Sequence, residues 1–382
     1  MWRTWLLWLV VVAAVVGGSL VSVRLWNTGE EKLEVPAEIL AQPEWPPAQI
    51  AAQNNLPPKL VAKALALDDA AMKQPLSTLG ISPEDAQARI KRMLALRSEE
   101  QTKDFRKISL KFGLWIVWLV GVWLLLRKGK IRSGLRVWLY AAAVLMFGVV
   151  LGADPGPMGT VSDAVVLFGR YRVVFPPRLI AMTAFLLMVL LANKFICGWG
   201  CQAGVLQDLL FRLNRKAGDR PGRGQIKLPF WLTNTVRKLF FVAFVVWAVA
   251  WGTNLIEPLD PFRVFKPATM GWLSVGFVGL LLVASVFVYR PWCHLFCPFG
   301  FLGWLVEKAS VTKIVVDYDR CIACERCAER CPSTVMGAIL KRDREIPDCF
   351  SCGTCIEVCP TQAIAFKAGK RQKPKEGKFA KK

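Results

Sequence analysis

Histidine is the scarcest chemical resource in this chain. Of 382 residues only His294 is a histidine, and only four are tyrosines. A b-type haem inside a helix bundle commonly takes two histidine ligands, and a histidine-rich copper or zinc centre takes several, so one imidazole excludes both as intrinsic centres. Covalent c-type haem needs C-x-x-C-H, which does not occur. Neither G-x-G-x-x-G followed by an acidic residue nor G-x-x-x-x-G-K-[ST] is present, which argues against direct NAD(P) or ATP chemistry. No cysteine lies before Cys197, and all twelve fall in four compact motifs. That is not the scatter of a disulfide framework. Clustered thiols at ligand spacing read as metal sites in a reducing compartment. Acidic residues are also few, 28 against 50 basic ones, for a net charge of +22.

What is abundant is apolar surface. The chain is 54% hydrophobic with 16 Trp, and its mean hydropathy is +0.37. Six apolar stretches stand out, at 5–23, 108–126, 137–152, 179–195, 239–256 and 272–289. Each approaches the roughly 20 residues a helix needs to cross about 30 Å of hydrocarbon. The expected fold class is therefore mainly α: a polytopic helical membrane protein of about six spans.

The short loops orient it. Residues 127–136 hold Arg127, Lys128, Lys130, Arg132 and Arg136 with no acid, and 202–238 hold eight basic and two acidic residues. Segments 153–177 and 257–271 each balance two of each sign. The positive-inside rule then puts 127–136, 197–238 and everything after Arg290 in the cytoplasm, with both termini inside. Topology accounts for the net charge, so nucleic acid is not an expected partner, whereas membrane lipid is. The first stretch reads as a retained anchor (1–23), because no A-x-A site follows it. Residues 24–107 would form an outer helical region, a Glu- and Pro-rich linker leading to helices that start near Pro57, Pro58 and Pro83. The tail 368–382 is basic and suits an anionic lipid surface.

The sharpest signal is a doubled C-x2-C-x2-C-x3-C-P run: Cys321, Cys324, Cys327 and Cys331, then Cys349, Cys352, Cys355 and Cys359. Three closely spaced thiols wrap one face of a cubane, and in two-cluster proteins the fourth cysteine of each run ligates the other cluster. One [4Fe–4S] cluster is thus assigned to Cys321, Cys324, Cys327 and Cys359, and the second to Cys349, Cys352, Cys355 and Cys331. Here residues 311–367 resemble the bacterial two-cluster ferredoxins, a small α+β domain, with VTKIVVDY before the first run and TQAIAFK after the second as its strand pair.

A second pattern lies in the membrane region 108–310. Cys197 and Cys201 form a C-x3-C unit after the fourth stretch, and Cys293 and Cys297 form another after the sixth, each followed by an apolar helical segment. Asp154-Pro155 and Asp260-Pro261 sit upstream at matching places, so the region reads as an internal repeat. Gly198 and Gly200 suggest that the first pair lies in a loop. The four thiols with His294 stand as an additional redox or metal site, a third centre. Contact with a quinone, thiol–disulfide chemistry and inert packing stay open. His294 itself fits a proton acceptor, a metal ligand or a packing residue. Asp154 and Asp260 fit turn starts or quinone protonation.

Spans bearing two C-x3-C motifs, followed by two cluster motifs, resemble the NapH/NosR/CcoG group of polyferredoxin membrane proteins over roughly residues 112–367. The resemblance implies membrane redox coupling: iron–sulfur electron transfer between the quinone pool and a redox partner protein or metalloenzyme, as in a quinol dehydrogenase component. The expected location is the bacterial inner membrane. The CcoG type implies an alternative, a redox or metal-handling assembly factor. Gln202 stands where the group has Pro after the first C-x3-C, whereas Pro298 keeps it in the second.

Overall fold

The computed structural model describes residues 2–26, 36, 38–101, 104–152, 154–213, 225–372 and 379. The acidic part of the linker (27–35) and most of the basic tail lie outside the described residues. Helices dominate. In chain order they are α1 (Trp2–Leu25), α2 (Pro47–Gln53), α3 (Pro58–Leu65), α4 (Pro83–Gln101), α5 (Phe105–Arg127) and α6 (Ser133–Ala143). There follow α7 (Pro157–Tyr171), α8 (Pro176–Ala192), α9 (Phe195–Trp199), α10 (Gln202–Phe211), α11 (Phe230–Trp251) and α12 (Trp272–Phe287). After α13 (Pro291–Leu295) and α14 (Pro298–Glu307) come β1 (Thr312–Val316), α15 (Arg326–Arg330), α16 (Val335–Lys341), α17 (Thr354–Glu357) and β2 (Ile364–Ala368).

Local chemistry explains many of the starts. Prolines open α2, α3, α4, α7, α8, α13 and α14, where the missing N–H costs nothing. Asp104 caps α5, its carboxylate accepting from the backbone N–H of Arg106 and Lys107 at 3.0 and 3.1 Å.

Among the described residues four helices are long and apolar enough to cross a membrane: α1, α5, α11, and α6 together with the π-helical turn Val144–Val150 that prolongs it. The other two apolar stretches form shorter helices, α8 and α12. Several ends differ from the sequence expectation, for physical reasons. The stretch at 239–256 is the helix Phe230–Trp251, beginning earlier because Arg237, counted as a loop charge, is buried in an ion pair, and ending at Gly252 with φ +64°. The stretches ending at 195 and 289 stop short because Asn193 (φ +60°) and Arg290 (φ +48°) turn the chain into the C-x3-C units. Segment 153–177, expected as a connection, contains helix α7, which packs so tightly on α11 that a Cβ on Gly169 would meet the Ala248 carbonyl at 2.1 Å.

Exposed tryptophans mark both ends of the bundle: Trp2, Trp138 and Trp231 towards the cysteine-rich domain, Trp251 and Trp272 away from it. Such belts suit membrane–water interfaces. Residues 39–94 build a separate small core around Ile50, Leu60, Leu76 and Ile90. Arg178 of α8 ties this unit on through Glu99, donating from Nε at 3.1 Å, and also pairs with Asp163. The cysteine-rich domain is closed by the antiparallel pair β1–β2, with Thr312 opposite Ala368 and Val316 opposite Ile364. Its apolar residues are continuous with the core of the bundle.

Candidate functional site

The β1–β2 pair brackets both cysteine runs, and short helices after each first loop bring distant thiols together. One cavity is lined by Cys349, Cys352, Cys355 and Cys331, and encloses about 400 Å³ of atom-free space, its mouth included. The other is lined by Cys321, Cys324, Cys327 and Cys359, with about 340 Å³. Each cavity thus draws three thiols from one run and the fourth from the other, the arrangement that crossed ligation requires. The donor set fits a cluster better than one ion. Structural zinc sites pair cysteines as C-x2–4-C units, whereas a cubane takes four thiolates of which three come from one tight loop, and each cavity has that three-plus-one set. Backbone and hydroxyl donors approach the sulfurs: Ala363 N–H donates to Cys359 Sγ at 3.3 Å, and Thr354 Oγ1 lies 3.4 Å from Cys352 Sγ. Such contacts tune cluster potentials.

The two cavities differ in setting. Cys324 is exposed and Cys321 half-buried, so the first opens towards solvent. Cys331, Cys349 and Cys355 are buried against the bundle. We call these cavities the outer and the inner.

Beneath the inner cavity lie the two C-x3-C units, and they repeat in detail. Cys197 sits in α9 and Cys201 caps α10; Cys293 sits in α13 and Cys297 caps α14. The first pair is thus on a short helix and a cap rather than in a loop: Gly198 and Gly200 serve close approach inside a helical turn. Gly300 N–H donates to Cys297 Sγ at 3.3 Å. All four thiols are buried, and no disulfide joins them. The units interlock. A Cβ on Gly204 of the first would lie 3.6 Å from Cys293 Sγ of the second.

Each unit carries a buried cation three residues before its first cysteine, and each cation crosses to the other unit. Lys194 donates to the Gly300 carbonyl at 2.6 Å. Arg290 donates to the carbonyls of Cys197 (2.5 Å) and Gly198 (3.0 Å) and pairs with Asp208 at 2.7 Å. Sequence reasoning missed these two residues. Their matched spacing in the repeat is the signal that marks them.

The inner loop is seated on this platform. Asn193 donates to Cys349 O at 2.8 Å, Trp199 to Ser351 O at 3.1 Å and Arg136 to Cys352 O at 2.8 Å. Asp348 is buried between Arg237 (2.8 Å) and Lys194. Burial works against its charge, but those two cations hold the carboxyl below its ordinary range. The Phe350 ring points into the bundle, under Arg290 at 4.7 Å and edge-on to His294 at 5.3 Å. His294 is buried, its Nδ1 3.0 Å from the Arg290 carbonyl, so it packs at the junction of the inner loop and the second unit. Asp154 and Asp260 stand at the opposite end. Asp260 caps a short 3-10 turn by accepting from Phe262 N–H at 2.8 Å, and Asp154 pairs with Lys266.

Comparison with known proteins agrees with this geometry. A 4Fe-4S dicluster domain family matches residues 313–360. A 4Fe-4S binding domain family matches twice, over 174–218 and 270–316, the two C-x3-C units. YccM of Escherichia coli, whose name describes an electron transport protein, is 31% identical over 179 residues, covering 44% of this chain and 49% of its own. The regulatory protein NosR of Pseudomonas aeruginosa is 25% identical over 223 residues, 54% of this chain and 30% of its own. The ferredoxin-type protein NapH of Haemophilus influenzae is 27% identical over 220 residues, 56% of this chain and 67% of its own. The chain thus spans half or less of the first two relatives. No solved structure matches.

Proposed function

The chain belongs to the NapH/NosR-type polyferredoxin family, and from that premise we propose that it relays single electrons between the quinone pool and a redox partner protein. An iron–sulfur electron-transfer role at a membrane is common ground with its relatives; the quinone, the partner and the route are our reading. Two [4Fe–4S] clusters would supply the one-electron chemistry. In this reading Cys321, Cys324, Cys327 and Cys359 hold one cluster in the outer cavity, and Cys349, Cys352, Cys355 and Cys331 hold the other in the inner cavity. The observation that carries the proposal is the seating of the inner loop on the C-x3-C platform. It puts one thiol-lined cavity against the apolar bundle and leaves the other open to a soluble partner.

The protein's own contribution is positional. Asn193, Trp199 and Arg136 hold the inner loop by its carbonyls, and the buried rings of Phe350 and His294 pack edge-on at the junction. We read Cys197, Cys201, Cys293 and Cys297 as a third thiolate-ligated centre. Two helix N-termini, Lys194 and Arg290 would compensate its charge, and the double match of a 4Fe-4S binding family over the units supports it. Six spans in a bacterial inner membrane, with the cysteine-rich domain in the cytoplasm and the 39–94 unit outside, accord with the charge pattern of the loops.

Quinol analogues tested on anaerobically purified chain decide the matter. The proposal expects the cluster signals to appear on quinol addition. Intact clusters indifferent to every quinol and quinone would remove the quinone link and favour an assembly factor that reduces a metal through the C-x3-C thiols.

A further inference from the structure

Two arginines of the bundle stand directly behind the inner cysteine loop. Arg136 of α6 is 1% exposed; its Nε donates to Cys352 O at 2.8 Å and one NH2 hydrogen goes to Glu357 at 3.0 Å. Arg212, just past α10, donates to Thr354 Oγ1 at 3.1 Å, and that hydroxyl lies 3.4 Å from Cys352 Sγ. Each guanidinium also buries one nitrogen, Arg136 NH1 and Arg212 NH2, for which no partner is found among the described residues. Leaving a charged donor unpaired in a dry site is costly, so it asks for an anion nearby. The outer cavity is backed less: the cation bonded to its loop is Lys227, exposed and donating to the carbonyls of Ala328 (3.0 Å) and Glu329 (2.8 Å), and the charged side chain in its described lining is Glu325, as Asp348 is in that of the inner cavity.

Resting on the two-cluster reading above, we propose that Arg136 and Arg212 raise the reduction potential of the inner centre above that of the outer one. Reduction adds one negative charge to a thiolate-ligated cluster. Two fixed positive charges behind Cys352 favour the added electron, and the low dielectric of the buried interface strengthens the effect. Burial alone acts the other way, by opposing added charge. Asp208 and Glu357 offset part of the positive field, since each is paired to one of these arginines. Asp208 is shared with Arg290, so three cations face two carboxylates and net positive charge remains behind the loop. The inner centre is then the one that fills first, whichever end supplies electrons. Both arginines are positioning residues here; neither is a ligand.

The test is an EPR-monitored redox titration of the full chain in detergent, with iron counted on every sample. Cys324→Ser, at the outer cavity, assigns the signals. In the native protein the signal untouched by that change titrates at the higher potential. Arg212→Gln and Arg136→Gln lower that step and leave the other in place, and Arg212→Lys, which keeps the charge, moves it less. An inner step at or below the outer one in the native protein overturns the proposal. So does an equal shift of both steps with iron content unchanged. If Arg212→Gln loses iron, Arg136→Gln and Arg136→Lys carry the same comparison, and the native order stands as a test without any variant. Absence of iron–sulfur clusters from the native chain would instead refute the two-cluster reading itself.

Discussion

Gly198 offers the most direct handle on the proposed route. An ideal Cβ at this position would lie 2.1 Å from the Phe350 carbonyl oxygen, where a carbon and a carbonyl oxygen need about 3.3 Å. Both partners are backbone, so no flexible side chain can yield. The inner loop would have to retreat by about 1 Å, against hydrogen bonds from Asn193 and Trp199 that pin it on either side. Overpacking of this kind costs about 1–3 kcal/mol, which lowers the ratio of seated to unseated loop about 5- to 150-fold. Gly198→Ala should therefore keep the cysteines and the iron yet lose hydrogen-exchange protection over 348–355 and slow quinol-driven reduction. Gly337→Ala, where a Cβ meets nothing within 4 Å, should change neither. Native exchange and native reduction rate in Gly198→Ala, with iron intact, would refute the claim that the loop must sit on the C-x3-C turn.

Three further outcomes are expected. Asp348→Asn leaves Arg237 and Lys194 buried without their counter-charge, at a cost of about 3–5 kcal/mol; thermal unfolding should fall and iron be lost from the inner centre first. Cys331→Ser should alter the signal of the inner centre and Cys359→Ser that of the outer one; the reverse pattern would contradict crossed ligation. Arg178→Gln removes one partner each of Glu99 and Asp163, charge-assisted bonds worth about 1.5–3 kcal/mol each, so limited proteolysis should cut near residues 96–107 sooner while the cluster signals stay unchanged.

The mainly helical membrane architecture was legible because lipid imposes long apolar runs, and the cluster domain because a cubane imposes thiol spacing. Helix ends were less so. Arg237 reads as a loop charge until Asp348, more than a hundred residues later, is seen to neutralise it inside α11. Helix α7 was missed because Gly159, Ser162 and Asp163 break its apolar pattern. The seat of the inner loop is a long-range contact, and no local pattern marks Phe350 or Asp348. Lys194 and Arg290 stood in plain view at matched positions of the repeat. Their role emerges only once each is seen to bond the opposite unit.

The central claim is tested most directly by adding menaquinol and ubiquinol analogues to anaerobically purified chain while counting iron and following EPR. The account predicts about eight irons for two cubanes and a surplus for the third centre, the surplus lost when Cys197, Cys201, Cys293 and Cys297 are replaced. It also predicts clusters that change oxidation state on addition of quinol or quinone. Eight irons with no response to any quinone, or zinc in place of iron, would contradict it.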